Sequence, residues 1–173
     1  RALNAYITET PEKALEMASA HVPLVLMNQA ALAERYQNVL VEYATGFKEA
    51  LEHLESLGHT DIGFIAGPST LSSIRRRYEE WVLAMKRHHL RVRPEWVVIG
   101  DMRVEGGERV MHELMSMPAR PSAVLTSNDL MAIGALKAAL DAGLKVPADV
   151  SIIGFDVLPI SSMVMPQLTT IQL

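Results

Sequence analysis

Cysteine is absent from the chain, so neither a disulfide framework nor a cysteine-based zinc site can form. Histidine offers no substitute. Of the six present, His53, His59 and His112 stand apart, and the adjacent His88 and His89 point to different sides of any helix, so a metal site is not expected. Positive charge is also in short supply. A formal net charge of −4 argues against this piece gripping nucleic acid, because phosphate binding calls for a basic surface. No apolar run approaches the roughly 20 residues of a membrane span, and the first ten residues, RALNAYITET, lack a signal peptide's apolar stretch. Catalytic motifs are missing as well: there is no GxSxG, Walker lysine loop, GxGxxG after a strand, or HExxH. An enzyme is therefore not expected.

What is present is core material. Of the 173 residues, 49% are hydrophobic and 21% charged, a balance that predicts a globular fold. Short β-rich apolar runs alternate with longer segments of helical period, the pattern of a parallel α/β sheet covered by helices. Strands are predicted over residues 5–8, 24–27, 39–41, 62–66, 96–99, 123–126, 151–155 and 169–173. Most are continuously apolar, which suggests burial on both faces. Phe47, Ala50, Leu51, Leu54 and Leu57 form a stripe on a helix that Gly58 ends. Similar stripes join Ile74, Tyr78, Trp81, Val82 and Met85; then Val110, Leu114 and Met117; then Leu130, Ile133, Leu136 and Leu140, with Gly143 as the stop. Thr10 and Pro11 read as the start of an earlier helix. The polar stretch over residues 29–38 is the candidate boundary between two subdomains.

In open parallel sheets, ligands bind beyond the carboxyl ends of the strands, where loops and helix N-termini gather. Those exits carry Asn28; Gly67, Pro68 and Ser69; Gly100 and Asp101; Ser127, Asn128 and Asp129; and Asp156. Asp129 and Ser69 read as helix caps. Asn128 and Asp156 each stand close past a buried strand and read as ligand contacts. The opposite ends, GHTD, MPARPS and KVPADV, read as connectors. Arg75, Arg76 and Arg77 load positive charge onto a helix start that is already positive. Either they form a solvated face, with Arg75 and Arg76 paired to Glu79 and Glu80, or one of them reaches the rim as a fork for hydroxyls, a carboxylate or a phosphate. Periodicity does not choose.

An ordered series of motifs then narrows the reading: VPLVLMN, ALEHLESLGHTDIGFIAGP, the ND of Asn128 and Asp129, MAIGALKAALDAGLKVPADVSIIGFD, and PQLTTI. In order and spacing the chain resembles the LacI/GalR regulators over nearly its whole length. The resemblance implies a type I periplasmic-binding-protein-like α/β fold of two subdomains, the first incomplete: residues 1–41 from the first, 42–168 from the second, and 169–173 crossing back. It implies a small polar effector in the cleft, a sugar or derivative with nucleosides and purines as further candidates. Asn28, Ser73, Arg77, Asn128 and Asp156 fall at effector-contacting positions, which leaves Arg75 and Arg76 outside the pocket, and Met102 falls where some members place an aromatic. It also implies a homodimer formed through the helix carrying Ile133 and the loop near Val164, a cytoplasmic location, no cofactor, and operator DNA held by a helix-turn-helix headpiece outside this chain. The start one residue before an apolar run reads as that of a fragment. Glu80, Val157 and Glu42 depart from the family's usual glycine, aspartate and aspartate. The alternative is an extracytoplasmic sugar-binding protein of a transporter, which shares the fold.

Overall fold

The computed structural model describes residues 23, 25–28 and 36–172. The expected strand over 5–8, the helix start at Thr10 and Pro11, most of the first subdomain and Leu173 lie outside them. Within the described residues lie two parallel sheets. β1 (Val25–Met27) pairs with β2 (Gln37–Val39), Val25 opposite Gln37. The second sheet has five strands in the order β4-β3-β5-β6-β7: β3 is Ile62–Ala66, β4 Val97–Ile99, β5 Ala123–Thr126, β6 Ser151–Phe155 and β7 Thr169–Ile171. Among the described residues the α-helices are α1 (Ala44–Ser56), α2 (Ser72–Arg87), α3 (Val104–Met115) and α4 (Asp129–Asp141).

Alternation along the central strands explains why they read as unbroken apolar runs. Ile62, Phe64 and Ala66 of β3 face one core with α1 and α2, while Ile65 faces the other. Leu125 and Val124 of β5 divide likewise, as do Ile153 and Ile152 of β6. With helices on both faces, successive residues are buried whichever way they point. The first core is aromatic: Phe64 stacks on Trp81 at 4.7 Å between ring centres, and Phe47 lies 5.4 Å from Phe155. Burying a side chain such as Phe47 or Leu51 stabilises the fold by about 2–3 kcal/mol each.

Two expectations need correction. The strand expected over 39–41 lies at Gln37–Val39, because the Val41 N–H leaves the ladder to donate to Asn28 Oδ1. The stripe expected on α4 is not its buried face. Met131, Ala132, Ala135, Ala138 and Ala139 are buried, whereas Leu130 and Ile133 are half-buried and Leu140 is exposed; of the four, only Leu136 is in the core. Small residues win because α3 and α4 touch backbone to backbone: a Cβ on Gly134 would stand 1.9 Å from the Val104 carbonyl oxygen. Within the segment over 169–173, Thr169–Ile171 form β7, parallel to β6.

Candidate functional site

The polar strand exits gather at the carboxyl edge of the sheets, and the backbone there is unusual. Asn28 (φ 57°), Met102 (φ 69°), Asp156 (φ 112°) and Val157 (φ 59°) all occupy positive φ. For β-branched Val157 this is sterically costly, and such outliers persist where the surroundings hold them, commonly at functional sites. Asn28 and Asp156 directly follow β1 and β6, so both turns begin as the ladder ends.

Arg77 is the centre of the cluster. It lies in α2 and is 7% exposed. Its Nη2 donates to Asp156 Oδ1 at 2.7 Å and its Nη1 donates to the Ser127 carbonyl at the end of β5. Its guanidinium carbon sits 4.2 Å from the centre of the Phe155 ring and 5.5 Å from that of Tyr43. One arginine thus links the exits of β5 and β6. A fixed, charge-assisted fork of this kind presents donors to hydroxyls or anions, while Asp156, with a side chain 27% exposed, retains acceptor capacity for hydroxyl donors.

Tyr43, just before α1, extends the cluster toward the smaller sheet. Its hydroxyl accepts from Asn28 Nδ2 at 3.1 Å, and the Ser72 hydroxyl donates to the Asn28 carbonyl at 3.4 Å. Ser73, read from the sequence as a ligand contact, lies beside Ser72 in the first turn of α2, half-buried. Asn128 is 6% exposed and does the capping expected of Asp129: its Oδ1 accepts from the Met131 N–H at 3.0 Å, and its Nδ2 donates to the Met102 carbonyl at 3.0 Å. It so ties the β5 exit to the loop after β4.

Asp129 does something else. Fully buried, its carboxylate accepts from the Leu158 N–H at 2.8 Å and from the hydroxyls of Ser161 and Thr170, each at 2.5 Å. Those three bonds satisfy a group that would otherwise be costly to bury, and they fasten the segment after Asp156 to the start of α4. Ser69 is exposed and caps nothing, since the residue preceding α2 is Leu71. Arg75 pairs with Glu79 at 3.9 Å, as in the solvated-face alternative, but Arg76 turns inward: its Nη2 donates to the Val41 carbonyl at 3.4 Å. Sequence reading missed Tyr43 and the inward turn of Arg76, and neither carries a periodic or motif signal.

The opposite rim is more than connectors. The ring nitrogens of His59 bond the hydroxyls of Ser122 at 2.9 Å and Ser151 at 3.0 Å, so one imidazole joins the entries of β5 and β6. Burial, followed by repulsion from His53, pushes its pKa down. A cavity of about 290 Å³ along the open edge of β7, lined by Gly46, His53 and Ile171 among others, shares no residue with the rim cluster. Among the described residues no group of acidic, histidine or cysteine side chains could hold a metal ion, and no helix is long and apolar enough to cross a membrane.

Comparison with known proteins supplies the relationship. The family model of the periplasmic binding protein-like domain matches residues 51–173. The Bacillus subtilis (strain 168) protein named "Probable HTH-type transcriptional repressor ExuR" is 36% identical over 169 residues, covering 98% of this chain and 49% of its own length. The HTH-type transcriptional repressor CytR of Escherichia coli (strain K12) is 38% identical over 149 residues, covering 86% and 44%. The chain spans about half the length of the curated relatives it matches. Among solved structures, the Lac repressor dimer bound to operator and the anti-inducer ONPF superposes with a TM-score of 0.82 at 31% identity, over 93% of this chain and 55% of that one. With a doubly wound parallel core and these matches, the chain belongs to the periplasmic-binding-protein-like domain family, among the LacI-type transcriptional regulators.

Proposed function

We propose that this chain is the effector-binding and dimerisation core of a LacI-type repressor. It takes a small polar ligand, a sugar or derivative, at the rim built by Arg77 and Asp156, and is not an enzyme. The carrying observation is the buried Arg77–Asp156 pair set among positive-φ strand exits. Asn28, Ser73 and Asn128 complete the contact set, with Asn128 contributing through whatever bonding capacity its cap leaves free. Residues 1–41 then belong to a first subdomain and 42–168 to a second, and the Asn28–Tyr43 bond spans them. A ligand that binds one arrangement of the two more tightly than the other shifts the operator affinity of an attached helix-turn-helix by that difference.

Dimerisation is assigned to the exposed side of α4 and the loop near Val164. In support, Ile133 is only half-buried, Leu140 is 42% exposed, and Met163 and Met165 are 78% and 83% exposed. The names of the relatives favour a cytoplasmic regulator over a transporter component. A helix-turn-helix encoded upstream is the expected finding, and a signal peptide there would reverse the choice.

Thermal shift with a panel of sugars, sugar derivatives, nucleosides and purines tests the site. A ligand at 100 times its Kd adds about 2.7 kcal/mol of stability, or a rise of roughly 5–10 °C in Tm for a domain of this size. Arg77→Ala and Asp156→Ala should each abolish the rise; its full retention in both sinks the site.

A further inference from the structure

We infer that the ligand of this rim is anionic, a sugar acid or sugar phosphate, and that Arg76 receives its charged group. The inference rests on the reading of the rim as a ligand site. Three buried polar atoms there have no hydrogen-bond partner: Nη1 of Arg76, Nε of Arg77 and Oγ of Ser127. Arg77 and Ser127 are 7% and 0% exposed, so bulk water does not serve them. Two of the three atoms can only donate and the third can donate, so the cluster is short of acceptors. Buried polar groups are almost always satisfied, so three exceptions gathered at one rim call for an explanation, which an acceptor from a ligand would give.

Charge points the same way. Arg77 is matched by Asp156, and Arg75 by Glu79 on the exposed face of α2. Arg76 has no carboxylate within ion-pair distance among the described residues; its protein contacts are the Val41 carbonyl and the Tyr43 ring, 5.5 Å from the guanidinium carbon. Arg77 lies at the same distance from that ring, so one tyrosine serves two guanidiniums of which one has a counter-ion. Glu42, next to Tyr43, is committed elsewhere, accepting from the Ala44 and Thr45 N–H groups at the start of α1. Among the described residues the rim therefore holds one positive charge without a matching carboxylate, near the first turn of α2, where the helix dipole adds to it. Hydroxyls of a neutral sugar would satisfy the donors but not the charge. A carboxylate or phosphate does both, and its planar or multi-oxygen acceptor set suits a guanidinium fork.

Isothermal titration calorimetry and thermal shift on the full chain decide this with matched sets: glucose, glucuronate and glucose 6-phosphate; galactose, galacturonate and galactose 6-phosphate; and adenosine. In at least one set an anionic member should bind about tenfold or more tightly than its neutral parent, the ratio that about 1.4 kcal/mol gives. A winning uronate assigns a carboxylate, and a winning phosphate ester assigns a phosphate. Arg76→Gln should collapse the anionic-to-neutral ratio, while Arg76→Lys, which keeps the charge, should retain part of it. If a neutral sugar or adenosine binds at least as well as every anion, the charge assignment falls and the ligand site stands. An unchanged ratio in Arg76→Gln also overturns the role of Arg76. If nothing in the panel binds, the inference and the reading it rests on fall together.

Discussion

Replacing Asp156 with asparagine probes the site with little disturbance of its frame. The substitution removes one charge but keeps the side-chain shape, and asparagine tolerates the positive φ of 112° at that position. In the native pair Nη2 and Oδ1 are 2.7 Å apart, with side-chain exposures of 8% for Arg77 and 27% for Asp156. A hydrogen bond involving a charged group contributes about 1.5–3 kcal/mol and a neutral one about 0.5–1.5, so the change of bond type alone costs about 1 kcal/mol. Arg77 then remains charged, buried and without a counter-ion. Stripping one partner from a fully buried pair costs about 3–5 kcal/mol, but asparagine still accepts and this pair is open to water on the Asp156 side, so a total near 2 kcal/mol is expected. Urea titration should show a lower midpoint with an unchanged slope, and Tm should fall by about 4–8 °C. In a double-mutant cycle with Arg77→Met, the coupling should be about 1.5 kcal/mol. A coupling under about 0.5 kcal/mol, the range of exposed pairs, would refute the claim that this pair is preorganised by burial.

Gly134→Ala forces a Cβ to within 1.9 Å of the Val104 carbonyl and 2.6 Å of the Glu108 amide nitrogen, so α3 and α4 must separate; a loss of about 3 kcal/mol by urea denaturation is expected. Gly58→Ala, at φ 85° in open space, should cost only about 1 kcal/mol. Because burial lowers the pKa of His59, the unfolded chain takes up its proton first as pH falls. Its contribution is thus full above about 6.5 and declines as pH drops from there to the depressed folded value, so His59→Gln should flatten the Tm–pH profile in that window. Glu42, held down chiefly by hydrogen bonds from Thr45, contributes above its ordinary 4.5 and loses that as pH falls through its lowered pKa; Glu42→Gln should act only in this more acidic range. Ile133→Asp should leave the fold intact and render a dimer monomeric in light scattering after size exclusion; an unchanged mass would move the interface elsewhere.

The parts of this fold legible in the sequence are those where one physical pattern dominates. β3, β5 and β6 read as buried strands because every residue faces a core, and α1 reads as amphipathic because Phe47, Ala50, Leu51 and Leu54 share a stripe. α4 misleads because it is apolar nearly all round, so hydrophobic period cannot select the buried face; the close approach at Gly107 and Gly134 does. Asn128 and Asp129 are both residue types that cap helices, and only the extended backbone of Asn128 (φ −158°) assigns the cap to it. The LacI-type motif order singled out Arg77 from three consecutive arginines, and the structure joins it to Asp156. Nothing in periodicity marks Tyr43 or turns Arg76 inward, since both depend on how the segment around Val41 lies across α2.

The Arg77–Asp156 rim is assigned to a small ligand. The most direct test of that assignment is calorimetric titration of whichever compound stabilises the native chain into the Arg77→Met variant, whose fold is checked by circular dichroism. Binding should weaken at least about a hundredfold, as expected when a charged multi-donor group worth about 2.7 kcal/mol is removed. Undiminished affinity in a folded variant would place the ligand elsewhere and contradict the assignment.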